Sequence, residues 1–159
     1  MGVCILLGSK SDLEKAERAF DIFKEFNVDF DVHIASAHRT PDRVKEIVEN
    51  SKHDVFLVFA GLSAALPGVV AALTTKPVIG VPLSGRVPFD SLLSMVQMPK
   101  GVPVAVVGVD NVVNGALMCI QILGVRDRDM RKKIEKYRES MREKVAKDDE
   151  EVRKYVQSR

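Results

Sequence analysis

A chain of 159 residues that is 46% hydrophobic and 29% charged is one domain long and ordinary in composition, which excludes a disordered or fibrous protein. Its formal net charge of +2 comes from interleaved acidic and basic residues, broken only by short runs such as Arg131-Lys132-Lys133. It therefore lacks the one-sided basic stripe of a nucleic-acid binder, and any anion it takes is small.

Along the chain, short apolar runs rich in Val, Ile and Phe alternate with helical patterns, the signature of βαβ units and a parallel sheet. Five strands are predicted, over residues 3–7, 30–35, 55–60, 78–81 and 104–109, with no order in the sheet readable from the pattern. The first helix opens at Ser11-Asp12-Leu13-Glu14, read as a capping box in which Ser11 accepts from the backbone and Glu14 reaches back. Leu13, Ala16, Phe20, Phe23 and Phe26 give it a core face. The second helix starts at Thr40-Pro41, a capping hydroxyl followed by a proline at the first helical position, and continues through Val44, Ile47 and Val48.

Further helices are predicted from Leu66-Pro67, over residues 89–98 and over residues 112–123. In the tail, residues 127–159, Met130, Ile134, Tyr137, Met141 and Val145 form one narrow apolar seam on a charged helix, which reads as a docking face for its own subunit or a neighbour. The expected organisation is a single α/β domain over residues 1–159, with 126–159 as a C-terminal docking helix. Cys4 and Cys119 sit inside apolar runs and are expected to be buried, reduced thiols. No apolar stretch approaches the roughly 18 residues of a membrane helix. The first residues enter a strand without a basic leader, so a cytoplasmic protein with no membrane partner is expected.

In open parallel sheets ligands collect at the carboxyl ends of the strands, and three of the loops there are unusual. Gly8-Ser9-Lys10-Ser11-Asp12 joins a strand to a helix N-terminus, where free N–H groups, the Ser9 and Ser11 hydroxyls and the helix dipole suit an anion, while Asp12 can accept from sugar hydroxyls. Its glycine spacing fits neither a dinucleotide nor a nucleoside-triphosphate loop, leaving a monophosphate, although Ser11 and Asp12 serve equally as plain helix caps. In Ser36-Ala37-His38-Arg39-Thr40-Pro41, Arg39 can grip phosphate through paired donors and His38 can carry a proton in either direction. Gly61-Leu62-Ser63-Ala64-Ala65-Leu66-Pro67-Gly68 is small and glycine-bearing, suited to close approach of a flat ligand or to tight helix packing. His33 and His53 read as solvated or structural, the dispersed histidines argue against a metal site, and no acyl-transfer nucleophile is visible.

In chain order, Gly8-Ser9-Lys10-Ser11-Asp12, Ser36-Ala37-His38-Arg39-Thr40-Pro41-Asp42, Leu66-Pro67-Gly68 and Gln97-Met98-Pro99-Lys100-Gly101 resemble the N5-carboxyaminoimidazole ribonucleotide mutases of purine biosynthesis, over nearly the whole chain. The resemblance implies a flavodoxin-like three-layer αβα sandwich with a C-terminal helical extension. It implies a homo-octamer whose subunits share sites, and a functional link to an ATP-dependent synthetase that makes the unstable substrate. The implied reaction moves a carboxyl group from the exocyclic nitrogen to ring carbon 4 by decarboxylation and recapture, without metal, ATP or organic cofactor. In that reaction His38 is the proton shuttle, Ser9 and Arg39 hold the 5′-phosphate, Asp12 holds ribose hydroxyls and Ser36 supports the loop. The Gly61 to Leu66 segment, with Ser63, holds the carboxylate or the freed carbon dioxide.

The third loop departs from the family's usual Gly-Gly-Ala-Ala-His-Leu-Pro-Gly: Ala65 stands where a second histidine is common. Related enzymes that carboxylate aminoimidazole ribonucleotide (AIR) directly often carry Ala-Gly-Arg-Ser-Asn here, with lysine after the catalytic histidine and arginine before Met-Pro. This chain shares Ser63 with them but keeps Arg39 and Gln97, which favours the mutase over the direct carboxylase. A non-catalytic flavodoxin-like nucleotide-binding module is the remaining alternative, and it leaves His38-Arg39 without a purpose.

Overall fold

The structure is a computed structural model that describes residues 1–85, 87 and 89–159. The chain falls into two compact units, Met1–Leu123 and Gly124–Arg159. The first contains a parallel sheet of five strands, β1 (Gly2–Leu7), β2 (Asp29–Ile34), β3 (Val55–Ala60), β4 (Val78–Pro82) and β5 (Ala105–Val106), in the order β2-β1-β3-β4-β5. Val3 lies between Phe30 and Val55, and Leu57 opposite Ile79, so the register is continuous across the four strands β2, β1, β3 and β4.

Every residue of β1, β3 and β4 is buried, as a parallel strand covered on both faces requires. The edge strand β2 is half-buried or exposed throughout. On one face, α2 (Pro41–Asn50), α3 (Leu66–Ala72) and α4 (Asp90–Val96) pack through Val44, Ile47, Val70 and Met95 onto Cys4, Leu6, Phe56 and Val58. Alternation turns Leu57 and Val81 to the opposite face, where α5 (Val112–Gly124) comes so close at Gly115 that an added Cβ would lie 2.6 Å from Val81 Cγ2. That face also carries α1 (Leu13–Phe26), whose Phe20 stacks on Phe30 of β2 with ring centroids 5.6 Å apart. The result is the expected three-layer αβα sandwich.

Several sequence expectations are corrected locally. The capping box forms two residues early: Ser9, not Ser11, is the cap of a 3₁₀ turn at Lys10–Asp12, and Asp12 rather than Glu14 reaches back, its Oδ2 accepting from Ser9 N at 2.9 Å. A shorter turn suits this pair because Asp12 lacks the extra methylene of a glutamate and stays close to its own loop. The Thr40 hydroxyl does not cap α2; it accepts from Ser36 N at 2.9 Å and closes the preceding loop instead. The core face of α1 is shifted toward Ala19 and Ile22, with Leu13 and Phe20 only half-buried. The fifth strand keeps two residues in the ladder. Val107 N still reaches Gly80 O, but Asp110, at φ 54°, turns the chain into α5.

The second unit holds α6 (Arg128–Gln157), a 30-residue helix capped by Asp127, whose carboxylate accepts from Asp129 N and Met130 N. Along its apolar seam Met130 is buried and Ile134 half-buried, whereas Met141 and Val145 are exposed. Both cysteines are free and buried; burial pushes the Cys4 thiol up to about 11 and raises that of Cys119 as well. Among the described residues no helix is long and apolar enough to cross a membrane.

Candidate active site

Helix α1 carries the chain from β1 out to the edge strand β2, and α2 carries it back past β1 to β3. Where that direction reverses, the loops after β1 and β3 part and leave a crevice at the carboxyl ends of the strands. A cavity of about 690 Å³ lies there, within the range of small-molecule sites. Every residue singled out from the sequence lines it: Ser9, Ser11, Asp12, Ser36, His38, Arg39, Gly61, Ser63 and Leu66.

The loops after β1 and β2 are fastened to one another. Arg39 Nη2 donates to Gly8 O at 3.3 Å, and its backbone N donates to Ser36 Oγ at the same distance. Ser36 O accepts from Thr40 N, so the segment from Ser36 to Thr40 is a closed turn that leaves His38 at its crown. His38 is exposed to the cavity, and among the described residues it has no hydrogen-bond or ion-pair partner.

In the first loop the N–H groups of Ser9 and Ser11 are already taken, by Asp12 Oδ2 and by Ser9 Oγ. What the two serines offer an anion is therefore hydroxyl rather than backbone: Ser9 Oγ and Ser11 Oγ, 2.5 Å apart, beside the Arg39 guanidinium. Asp12 is half-buried, and desolvation raises its carboxyl above the ordinary value despite the hydrogen bonds from Ser9 and Ser11 and the charge of Lys15.

The third loop is held in a backbone conformation that L side chains rarely adopt, with Leu62 at φ 54° and Ala64 at φ 40°. Ala64 N closes a turn on Gly61 O at 3.1 Å, and Leu62, 63% exposed, points away from the core. Strain kept at such a position marks loops whose shape is used. Behind this loop, Met98 Sδ lies 3.2 Å from the point a Cβ on Gly68 would occupy, so the Gln97-Met98-Pro99 and Leu66-Pro67-Gly68 motifs meet in space.

Sequence reasoning missed one wall. Lys15, Leu83, Ser84 and Gly85 also line the cavity, and behind them stands Asp110. Lys15 Nζ donates to Ser84 O, Ser84 Oγ and Asp110 Oδ1, and the Ser84 hydroxyl donates to Asp110 Oδ2. Burial alone would raise the Asp110 carboxyl, but the Lys15 and Ser84 hydrogen bonds outweigh it and hold the group below its ordinary value. The carboxyl-end rule that picked out the first three loops applied equally to the loop after β4, and Lys15 sits one helical turn beyond Ser11.

The remaining histidines lie elsewhere. His53 is buried near the amino end of β1, with Nε2 2.9 Å from Asp31 Oδ2 and Nδ1 against Gly2. His33 lines a separate, smaller cavity with Arg43 and Glu46. Among the described residues no group of three or more His, Cys, Asp or Glu is placed to hold a metal ion.

Comparison with known proteins bears on the family and the fold. A family model described as AIR carboxylase matches residues 2–144. The N5-carboxyaminoimidazole ribonucleotide mutase of Methanocaldococcus jannaschii is 55% identical over 152 residues, covering 95% of this chain and 97% of the relative. The corresponding mutase of Bacillus subtilis is 44% identical, over 90% and 93% of the two chains. Among solved structures, Treponema denticola PurE superposes with a TM-score of 0.86 at 28% identity, covering 94% of this chain and 96% of that one.

Proposed function

The chain belongs to the AIR carboxylase family, and on that premise we propose that it catalyses the N5-carboxyaminoimidazole ribonucleotide mutase reaction of purine biosynthesis, an isomerisation. The observation that carries this reading is the unpartnered imidazole of His38, standing in one cavity with Arg39, the Ser9 and Ser11 hydroxyls and the Gly61 loop. A cavity able to hold a mononucleotide, with a proton carrier at its edge and a cation and hydroxyls for phosphate, matches what the reaction asks of a protein.

In this assignment Arg39, Ser9 and Ser11 bind the 5′-phosphate and Asp12 accepts from the ribose hydroxyls. The carboxylate lies against the Gly61, Ser63 and Leu66 segment, and Ser36 keeps His38 and Arg39 in place through its bonds to Arg39 and Thr40. The bond from the exocyclic nitrogen to the carboxyl carbon breaks, its electron pair returns to nitrogen, and the His38 imidazolium supplies the proton there. Carbon 4 then attacks the carbon dioxide retained in the pocket, and neutral His38 removes the proton from carbon 4. The imidazole ends in its starting state, so one side chain serves both steps without an external acid or base. A positioned acid/base of this kind is worth roughly 10²–10⁴ in rate.

We assign the enzyme to the cytoplasm as a homo-octamer, with the exposed Met141 and Val145 of α6 as a docking face for a neighbouring subunit, and link it functionally to the ATP-dependent synthetase that supplies its labile substrate. Ser63, which the direct carboxylases share, supports the second reading, carboxylation of aminoimidazole ribonucleotide by carbon dioxide. The two are separated by incubating the protein with each substrate in turn, with and without bicarbonate. Bicarbonate-independent conversion of the carboxyamino compound is expected; conversion no faster than its spontaneous decay would overturn the mutase assignment.

A further inference from the structure

We propose that Ser84 is a further substrate-binding residue, a hydrogen-bond acceptor for the exocyclic N–H of the heterocycle, held in that role by Lys15 and Asp110. The inference rests on the mutase reading and assigns a contact to a cavity wall outside the three sequence-marked loops.

The argument is a count of protons and lone pairs. A serine hydroxyl has one proton to donate and two lone pairs to accept with. At Ser84 the proton goes to Asp110 Oδ2, and one lone pair takes the Lys15 ammonium at 2.9 Å. Ser84 N is fixed as well, donating to Asp110 Oδ1 at 3.0 Å, so the residue is held from both its backbone and its side chain. Lys15 has three protons and three acceptors, Ser84 O at 3.1 Å, Ser84 Oγ, and Asp110 Oδ1 at 2.9 Å, and so is itself fully engaged. Asp110, an ionised carboxylate between Lys15 and Ser84, has no proton to give back.

The Ser84 hydroxyl therefore has a single capability left for the cavity: acceptance. An acceptor there repels phosphate and carboxylate oxygens and takes an N–H or O–H donor.

The sheet order says which donor. Along the carboxyl edge the loops run Arg39 after β2, Ser9 after β1, Gly61 after β3 and Ser84 after β4. With the phosphate at the Arg39 and Ser9 end and the ribose hydroxyls on Asp12, the heterocycle points toward β3 and β4. Its exocyclic amino group is then the donor nearest to Ser84. Lys15 and Asp110 are positioning residues in this scheme, acting on the substrate only through Ser84.

The test is calorimetric binding of two probes, 5-aminoimidazole ribonucleotide and the same imidazole ribonucleotide lacking the amine, with turnover of the carboxyamino substrate scored separately on the wild type. Wild type is expected to bind the amino nucleotide about tenfold more tightly, the size of one net hydrogen bond. Ser84→Ala should abolish that preference by weakening the amino nucleotide alone, and Lys15→Met should reduce it while the hydroxyl is still present. A Ser84→Ala protein that keeps the wild-type preference, or that weakens both probes equally, overturns the inference and leaves the mutase reading standing if wild type turns over. Wild type that binds neither probe overturns both. Should Ser84→Ala not fold, Lys15→Met decides, since an undiminished preference there also overturns the inference.

Discussion

The Arg39 guanidinium donates to the carbonyl of Gly8 across 3.3 Å, so the residue assigned to phosphate also fastens the loop after β2 to the loop after β1. Both roles depend on a planar group with several donors, which an ammonium does not reproduce. Arg39→Lys is therefore expected to raise the Michaelis constant about tenfold or more, with a smaller effect on turnover in the saturated enzyme. Steady-state kinetics at several substrate concentrations would separate the two; an unchanged Michaelis constant would remove Arg39 from the binding site.

His38 touches no other described side chain through a hydrogen bond or ion pair. His38→Asn should therefore melt with the wild type and bind nucleotide with similar affinity, while turnover falls by roughly 10²–10⁴. A variant retaining near-normal rates would refute the proton-shuttle assignment.

At Gly115 there is no room for a methyl group, because Val81 Cγ2 and Leu57 Cδ1 lie 2.6 and 3.2 Å from its position. Gly115→Ala improves local helix propensity by about 1 kcal/mol but must push α5 off the sheet. Overpacking of this kind typically costs about 1–3 kcal/mol, so net destabilisation is expected in denaturant unfolding. An equally stable variant would show that the α5 contact is looser than described.

Leu62 carries the opposite expectation. It occupies left-handed backbone while largely exposed, so Leu62→Gly relieves about 1 kcal/mol of strain and forfeits little packing, against some gain in unfolded-state entropy. Unchanged or slightly raised stability is expected, together with slower turnover if the strained loop shape serves the carboxylate. A loss of more than about 1 kcal/mol would contradict the strain argument.

The lowered Asp110 carboxyl fixes the sign of a pH effect. Its folded state favours the ionised form, so its contribution is present above the unfolded carboxylate range and is lost as pH falls through the lowered folded value. Asp110→Asn should therefore melt lower than wild type at neutral pH, with the gap closing in acid. The Lys15 and Asp110 side chains are 40% and 39% exposed, so solvent screening limits the pair to about 1 kcal/mol. A gap that widened in acid would contradict the assignment.

The layered fold and the three site loops were legible because each rests on a local signal: apolar runs of strand length, helix-start residues, and chemistry-bearing side chains directly after a strand. The misreadings have local causes too. Ser9 and Ser11 both precede a carboxylate three residues on, and only the backbone decides which pair closes the capping box. Thr40 stands before a proline as a cap should, yet Ser36, four residues back, takes its hydroxyl. The fifth strand was overextended because apolar residues continue past Val106 after the ladder has ended. Lys15, Ser84 and Asp110 were invisible as a group because they are separated by 69 and 26 residues and form one cluster only once β4 and β5 lie side by side.

The isolation of His38 has a consequence for direction as well as rate. Catalytic histidines are often held in one tautomer by a carboxylate or carbonyl behind the ring, which commits one nitrogen to the protein. Here no described group makes that commitment, so whatever occupies the cavity decides which ring nitrogen bears a hydrogen. With His38 as the proposed shuttle, the forward and the reverse carboxyl shift would each orient the imidazole through the nucleotide then bound, rather than through a fixed partner on its own chain.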